Sequence, residues 1–500
     1  MSTQVAIAIG LVVYVVLTTA VSFFFMRRVR KPADYLVAGR GLPYWVLTGT
    51  IIGTCIGTGV IIGGSGLAYQ HGWAGCAYPI GLGLGTLLTG VFFARTRRFG
   101  FMTLSEEIAC YYAGNRIVVE FSNVTLFLSQ LCWLTVQIMG GAAVVEAVTG
   151  LPHETCVVLA GAAKAVISIP GGLKAVVYTD VLQTLILFSG FGFLIHTALH
   201  ATSGLAGLRQ SVPPDYFSFL GVRSLGGWDV FGLIVVLTLN PIADPGRRLT
   251  MYSAVTERAA RWSMITSGVV VTIFSVAIGI TGMYTYRLNP HLAAPDEALP
   301  WLVMHVLPPW LAAFVVVAVV SGMSSAANGN AAAVGTFFVR HIFPLVTGRY
   351  PKQPVRVARR ALAAAFVLST VFALYTGSIV GFVVKFLPLT MSGLGVIILA
   401  ARFWRRATWQ GALAALVTTP LVSIIVLVVP SQAKFWGNPT IPATVVGLLA
   451  LAIVSRMTPP NAVSFDAVAQ SLHHERRAIE DVPGHGSAPL APSPLSHEAR

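Results

Sequence analysis

The sequence predicts an all-α membrane protein with about thirteen transmembrane helices. Three observations predict it. Of the 500 residues, 55% are hydrophobic and only 10% are charged, where a soluble domain carries roughly 25% charge. Apolar segments of span length follow one another as far as residue 456, separated by short loops. The basic residues alternate. Arg27 to Lys31 with Arg40, Arg95 to Arg98 with Arg116, Arg247 to Arg261, Arg340 to Arg360 and Arg402 to Arg406 fall in every second loop. The intervening loops hold only Arg209, Arg223, Arg287 and Lys434. This is the positive-inside pattern, so the net charge of +15 reads as topology and contact with the lipid bilayer rather than with nucleic acid.

Taken in order, the expected spans lie at about 4–26, 44–68, 72–94, 118–149, 154–170, 175–199, 228–243, 262–284, 311–338, 361–376, 379–402, 411–430 and 440–455. The first is an uncleaved span rather than a signal peptide, because basic residues follow it and none precede it. An odd count places the N-terminus outside and the C-terminus in the cytoplasm, in a cell (inner) membrane. The seventh is short and is expected to continue beyond Pro245. Residues 457–500, rich in Pro, Ser, Ala, His and charge, are expected to form a disordered cytoplasmic tail. The five cysteines lie in or beside spans and read as small buried residues, with neither a disulfide framework nor zinc-ligand spacing.

Two spans are poorly built as continuous helices. The second carries Gly53, Gly57, Gly59, Gly63, Gly64 and Gly66, and the seventh carries Asn240-Pro241 followed by Asp244-Pro245-Gly246. Interrupted segments at matching positions of two halves point to an inverted-repeat carrier with its site at the membrane midplane. The chain then divides into an N-terminal extra span and basic loop (1–43), a first repeat (44–199), a second repeat (200–402), two C-terminal spans (403–456) and the tail (457–500). Solute is expected at the breaks, beside Cys55, Thr58, Gly59 and Asn240.

Charge and hydroxyls inside spans mark the remaining candidates. Asp180 sits about one and a half turns into an apolar run whose aqueous edge is Lys174. An ionised group there is costly and suggests an ion path. Ser321-Gly322-Met323-Ser324-Ser325 interrupts another apolar run; its hydroxyls either ligate a cation or bond back to their own helix. Lys164, near a helix end, is expected to snorkel. Lys385, about two turns into the eleventh span, either snorkels outward, pairs with a buried acid or draws an anionic solute into the outer vestibule. No GxxxxGK[ST] or HExxH sequence occurs, so neither a nucleotide-driven pump of that type nor such an enzyme is expected.

Three segments resemble the sodium/solute symporter family, whose members carry sugars, proline, iodide and choline. They are Asp34 to Pro43 leading through the glycine-rich span to Tyr69, Gly171-Gly172-Leu173-Lys174 through Asp180 to Gln183, and Met323-Ser324-Ser325. Trp404 to Ala412 resembles the family's late loop. The resemblance implies a leucine-transporter-type fold of two inverted five-helix repeats with discontinuous helices. It also implies sodium-coupled symport of a small organic solute, with sodium as the co-transported ion. Carried over, the sodium ligands are the carbonyls of Gly53 and Ile56, a carbonyl near Ser321 and the hydroxyls of Ser324 and Ser325, with Asp180 on the sodium path or in a second cation site. Cys55, Gly59 and Val60 stand where sugar carriers that resemble this chain have polar side chains, which argues against a sugar; the solute expected instead is a small organic acid or amino-acid-like compound, although these residues do not identify it. A proton-coupled carrier on the same fold and a transporter-like membrane sensor are the alternatives. Oligomeric state is not legible.

Overall fold

The computed structural model describes residues 2–26, 32–170 and 172–480. Their regular structure is helical apart from isolated bridge residues, among them the pair Leu42 and Ala254. Helix α1 (Thr3–Met26) comes first. Helix α2 (Tyr44–Cys55) stops at Ile56, where φ −91° and ψ 62° leave the helical region. The chain resumes through a π-helical turn, Gly59–Gly64, into α3 (Ser65–His71). Then come α4 (Ala77–Phe93), the short α5 (Leu104–Tyr111), α6 (Arg116–Thr149), α7 (His153–Ser168) and α8 (Gly172–Ala201).

The seventh expected span is two helices, α9 (Gly227–Ala243) and α10 (Pro245–Tyr252), bent by 43°. It does continue beyond Pro245. The cause is local: Pro245 has no N–H to extend α9, and the Asp244 Oδ1 accepts the Arg247 N–H at 3.0 Å, capping a new helix. Beyond lie α11 (Glu257–Leu288), α12 (Pro309–Phe337), α13 (Pro354–Leu374), α14 (Ile379–Leu387), α15 (Gly393–Phe403), α16 (Trp409–Val428), α17 (Thr440–Met457) and α18 (Phe465–Glu480).

Among the described residues, ten helical stretches are long and apolar enough to cross a membrane, or eleven if the bent pair is one span. The other two of the expected thirteen fall on α2, of 12 residues, and α7, of 16 residues. The core is knit by small residues, because water cannot drive helix association inside a bilayer. Helix α4 packs on α9 and α11, α8 on α12 and α2, and α12 on α1 and α6. At the α4–α11 crossing a methyl group on Gly83 would stand 2.7 Å from the Gly268 carbonyl oxygen, so the two backbones touch.

Several expectations are corrected. Arg247 and Arg248, counted above as loop cations, are 6% and 0% exposed, because α10 carries them into the interior. Arg340 is also buried, paired with Glu106 at 2.6 Å. Lys164 does not snorkel: it is buried, and its Cε stands close enough to Gly141 that an added methyl would lie 3.1 Å away. Residues 465–480 are not disordered. Phe465 stacks edge-on against Phe99 (4.9 Å between ring centres), and Arg476 donates to Glu106 Oε2 at 3.0 Å. Composition conceals such a helix, because an amphipathic face with one anchoring arginine looks polar overall. The Arg27–Lys31 cluster, Gly171 and the rest of the expected tail (481–500) lie outside the described residues.

Candidate functional site

The first break faces α8 and α12. Gly53 lies where α2 meets both helices: a methyl group there would stand 2.7 Å from Thr184 Oγ1 and would overlap Ser325 Oγ. On the α12 side, a methyl group on Gly322 would stand 2.9 Å from the Ile56 carbonyl oxygen. The broken turn therefore presents the Ile56 carbonyl to α12, one residue past Ser321.

Asp180 is fully buried on α8, and Ser325 is the hydroxyl that faces it. Among the described residues neither carboxylate oxygen of Asp180 has a hydrogen-bond partner, nor do the hydroxyls of Ser321 and Ser325. Buried polar groups are rarely left so. Four oxygens without partners in one buried place are what a hard cation would satisfy.

Helix α1 also contributes. The Tyr14 hydroxyl accepts a hydrogen bond from Gln183 Nε2 at 2.7 Å and faces Ser321 and Ser324. Sequence reading missed Tyr14, since a tyrosine in an apolar helix gives no signal of which groups its hydroxyl will meet.

A second cluster lies at the crossing of the two breaks. A small polar cavity is lined by Cys55, Gly57 and Gly59 from the first break and by Asp244 and Arg247 from the second. Tyr78, Trp133, Gln137 and Asn330 complete it from α4, α6 and α12. Gly59 gives Tyr78 its room, since a methyl there would overlap the phenol oxygen. The Arg247 Nη1 donates to Asn240 Oδ1 at 2.6 Å and lies 3.4 Å from Asp244 Oδ2. Gln137 Oε1 accepts the freed Thr58 N–H at 3.1 Å, tying α6 to the first break.

Of the residues expected to meet solute, Cys55 and Gly59 line this cavity, and Asn240 reaches it through Arg247. Thr58 turns away, its methyl and hydroxyl packed against Gly140 of α6. Lys385 is on the exposed side of α14 and lines no part of the cavity. The reason is the helix face: Ile379, Phe382, Val383 and Leu387 turn inward together, which leaves Lys385 outward. Arg247 is the cation that sequence reading overlooked, because next to Arg248 it looked like an ordinary loop residue. A concavity of about 790 Å³ between α6, α14 and α16 is lined by side chains such as Phe121, Leu128, Phe386 and Pro420 and is almost wholly apolar.

Compared with known proteins, residues 35–419 match the sodium:solute symporter family. The chain is 24% identical to the sodium/pantothenate symporter of Escherichia coli K12, over 91% of this chain and 97% of that one. It is 22% identical to the sodium/glucose cotransporter of Vibrio parahaemolyticus, over 81% of each. A solved sodium-coupled sialic acid symporter superposes with a TM-score of 0.76 at 17% identity, covering 91% of this chain and 98% of that chain. The fold is therefore the leucine-transporter type. The family and these relatives are carriers rather than enzymes, with sodium as the coupled ion. This chain belongs to the sodium:solute symporter family.

Proposed function

We propose that this symporter holds its sodium ion between the first break and α12, and its solute in the polar cavity at the two breaks. The observation that carries the reading is the meeting of Gly53, Ser325 and Asp180 in one buried place, with the Ser325 hydroxyl and the Asp180 carboxylate unpartnered among the described residues, next to that cavity. Gly53, Ile56 and Ser321 offer carbonyl oxygens, Ser324 and Ser325 offer hydroxyls, and Asp180 supplies the balancing charge. Sodium bridging α2 and α12 favours one arrangement of those helices, solute adds to that preference, and a swing to the inward-facing state releases both. The residues 44–199 and 200–402 act as the two rocking repeats of a thirteen-span protein of the inner membrane, N-terminus outside and C-terminus in the cytoplasm. The pantothenate carried by the relatives named for it is the first solute to assay.

The test is reconstitution of the full-length protein in liposomes. An imposed inward sodium gradient should drive accumulation of labelled pantothenate or another small organic solute, and replacing sodium by potassium should abolish it. Uptake driven by a pH gradient without sodium would overturn the assignment of this site to sodium.

A further inference from the structure

The two adjacent arginines of α10 have different surroundings. Arg248 has a close counter-charge: its Nη2 meets Glu107 Oε1 at 2.6 Å, and its guanidinium lies over the Phe93 ring at 4.3 Å, although its Nε and Nη1 have no hydrogen-bond partner among the described residues. Arg247 is open. It is only 6% exposed, lines the cavity, and its nearest carboxylate oxygen, Asp244 Oδ2, is at 3.4 Å. The other oxygen of Asp244 is spent on capping α10. A guanidinium buried with so loose a counter-charge is expensive unless something else completes it.

The hydrogen-bonding groups of the cavity wall are lopsided. Among the described residues, Arg247 Nε, Trp133 Nε1 and the Tyr78 hydroxyl are buried in the lining and have no partner. Two of the acceptors are committed: both Asp244 oxygens face Arg247, and Gln137 Oε1 takes the Thr58 N–H. An indole N–H and a guanidinium can only donate. Among the described residues the wall thus sets unmet donors on Arg247, Trp133 and Tyr78 against no free carboxylate oxygen, the Asn330 amide being its one uncommitted side-chain carbonyl. A sugar brings as many donors as acceptors and would leave its own hydroxyls unmatched. A cationic solute would meet a guanidinium.

We propose that the transported solute is a carboxylate, and that Arg247 receives its anionic group, with Trp133 and Tyr78 donating to the same group or to an acceptor beside it. Asn240 is a positioning residue, fixing the Arg247 Nη1 from the last turn of α9. The inference rests on the reading that the cavity at the two breaks is the solute site.

The test uses the full-length protein in liposomes under an inward sodium gradient, with acid–alcohol pairs as probes: pantothenate and pantothenol, proline and prolinol, lactate and propane-1,2-diol. Glucose and choline complete the panel. At least one acid should be taken up, with its alcohol weaker by roughly 10- to 100-fold, the range for a lost hydrogen bond to a charged group. Arg247→Gln should weaken that acid by a similar factor and erase the preference over its alcohol, and Arg247→Lys should restore part of both. The half-saturating sodium concentration, read from sodium-induced thermal stabilisation without solute, should stay within a few-fold of native. The acid–alcohol comparison on the native protein decides the matter even where a variant fails to fold. An alcohol carried as well as its acid, an Arg247→Gln protein that still prefers the acid, or uptake confined to glucose or choline overturns the proposal. Failure of the underlying solute-site reading looks different: the native protein would still prefer the acid, while Arg247→Gln would leave the uptake of both acid and alcohol at native levels.

Discussion

Gly53 and Ser325 stand so close that no side chain fits between them. One comes from a helix that breaks three residues later, the other from a long helix far along the chain. Their contact brings α2 against α12 at the point where the oxygens of the first break are freed.

The first prediction follows from that contact. Gly53→Ala places a methyl group over Ser325 Oγ and 2.7 Å from Thr184 Oγ1, so α2 must back away. The half-saturating sodium concentration for uptake should rise by about 10-fold or more, measured by titrating sodium at fixed solute. A native-like sodium titration would place the ion elsewhere.

Ser324→Ala and Ser325→Ala each remove one oxygen from the proposed site. Each should weaken sodium activation by about 1–3 kcal/mol, the penalty for an unmade bond to a charged partner. Tyr14→Phe should have a smaller effect in the same direction, since its hydroxyl faces Ser321 and Ser324 from behind. Sodium-dependent uptake of all three variants at saturating solute gives the comparison. Three native-like curves would remove α12 from the site.

Asp180 distinguishes the coupling ions. If its carboxylate balances sodium, Asp180→Asn should depress transport at every pH and flatten the sodium dependence. A carrier coupled through the Asp180 proton would instead show uptake by the native protein under a pH gradient with no sodium present. An aspartate with a purely structural role would lower expression of Asp180→Asn and leave the ion dependence of the surviving protein unchanged.

At the other end of α12, Glu106 accepts from Arg340 Nε at 2.6 Å, from Arg476 Nη1 at 3.0 Å and from the Met102 N–H at 2.9 Å. It thereby fastens α18 to α5. Burial alone would raise its pKa, but Arg340 and Arg476 override that and hold it down at about 2. A carboxylate depressed in this way stabilises the fold above its unfolded value and loses that contribution only as pH falls through about 2. Docking of α18 should therefore be unchanged by pH from neutrality down to about 4.5, the unfolded value. Glu106→Gln leaves two buried guanidinium groups under-compensated and should cost about 3–5 kcal/mol. Protease cleavage between residues 458 and 464, with the melting temperature, reads both effects. Cleavage that accelerates between pH 7 and pH 5 in the native protein would contradict the pairing.

Topology is checked by reporters. A fusion following residue 480 should report the cytoplasm, and one ahead of α1 the outside. The opposite result for either would reverse the orientation drawn from the basic loops.

The sequence by itself determined what depends on composition and on local backbone chemistry. Long apolar runs leave a helical membrane protein as the outcome, because backbone polar groups in hydrocarbon must be satisfied within the segment. Clustered glycines and Asp244-Pro245 mark where helices break, since Pro lacks the N–H that would continue them. Ser324, Ser325 and Asp180 were legible as candidates because hydroxyls and charge are out of place in an apolar run. What only the tertiary structure decided is which groups face one another. Lys385 and Arg247 are both cations in or beside spans; the inward face of α14 turns one out, and the bend at Asp244 carries the other into the polar cavity. Tyr14 reaches Ser321 and Ser324 because α1 packs on α12, and residues 465–480 pack as a helix where Glu106 and Phe99 receive Arg476 and Phe465. Local sequence fixes where a chain bends, but the direction of each side chain after the bend is set by packing between helices remote in sequence, and that information is distributed over the whole chain.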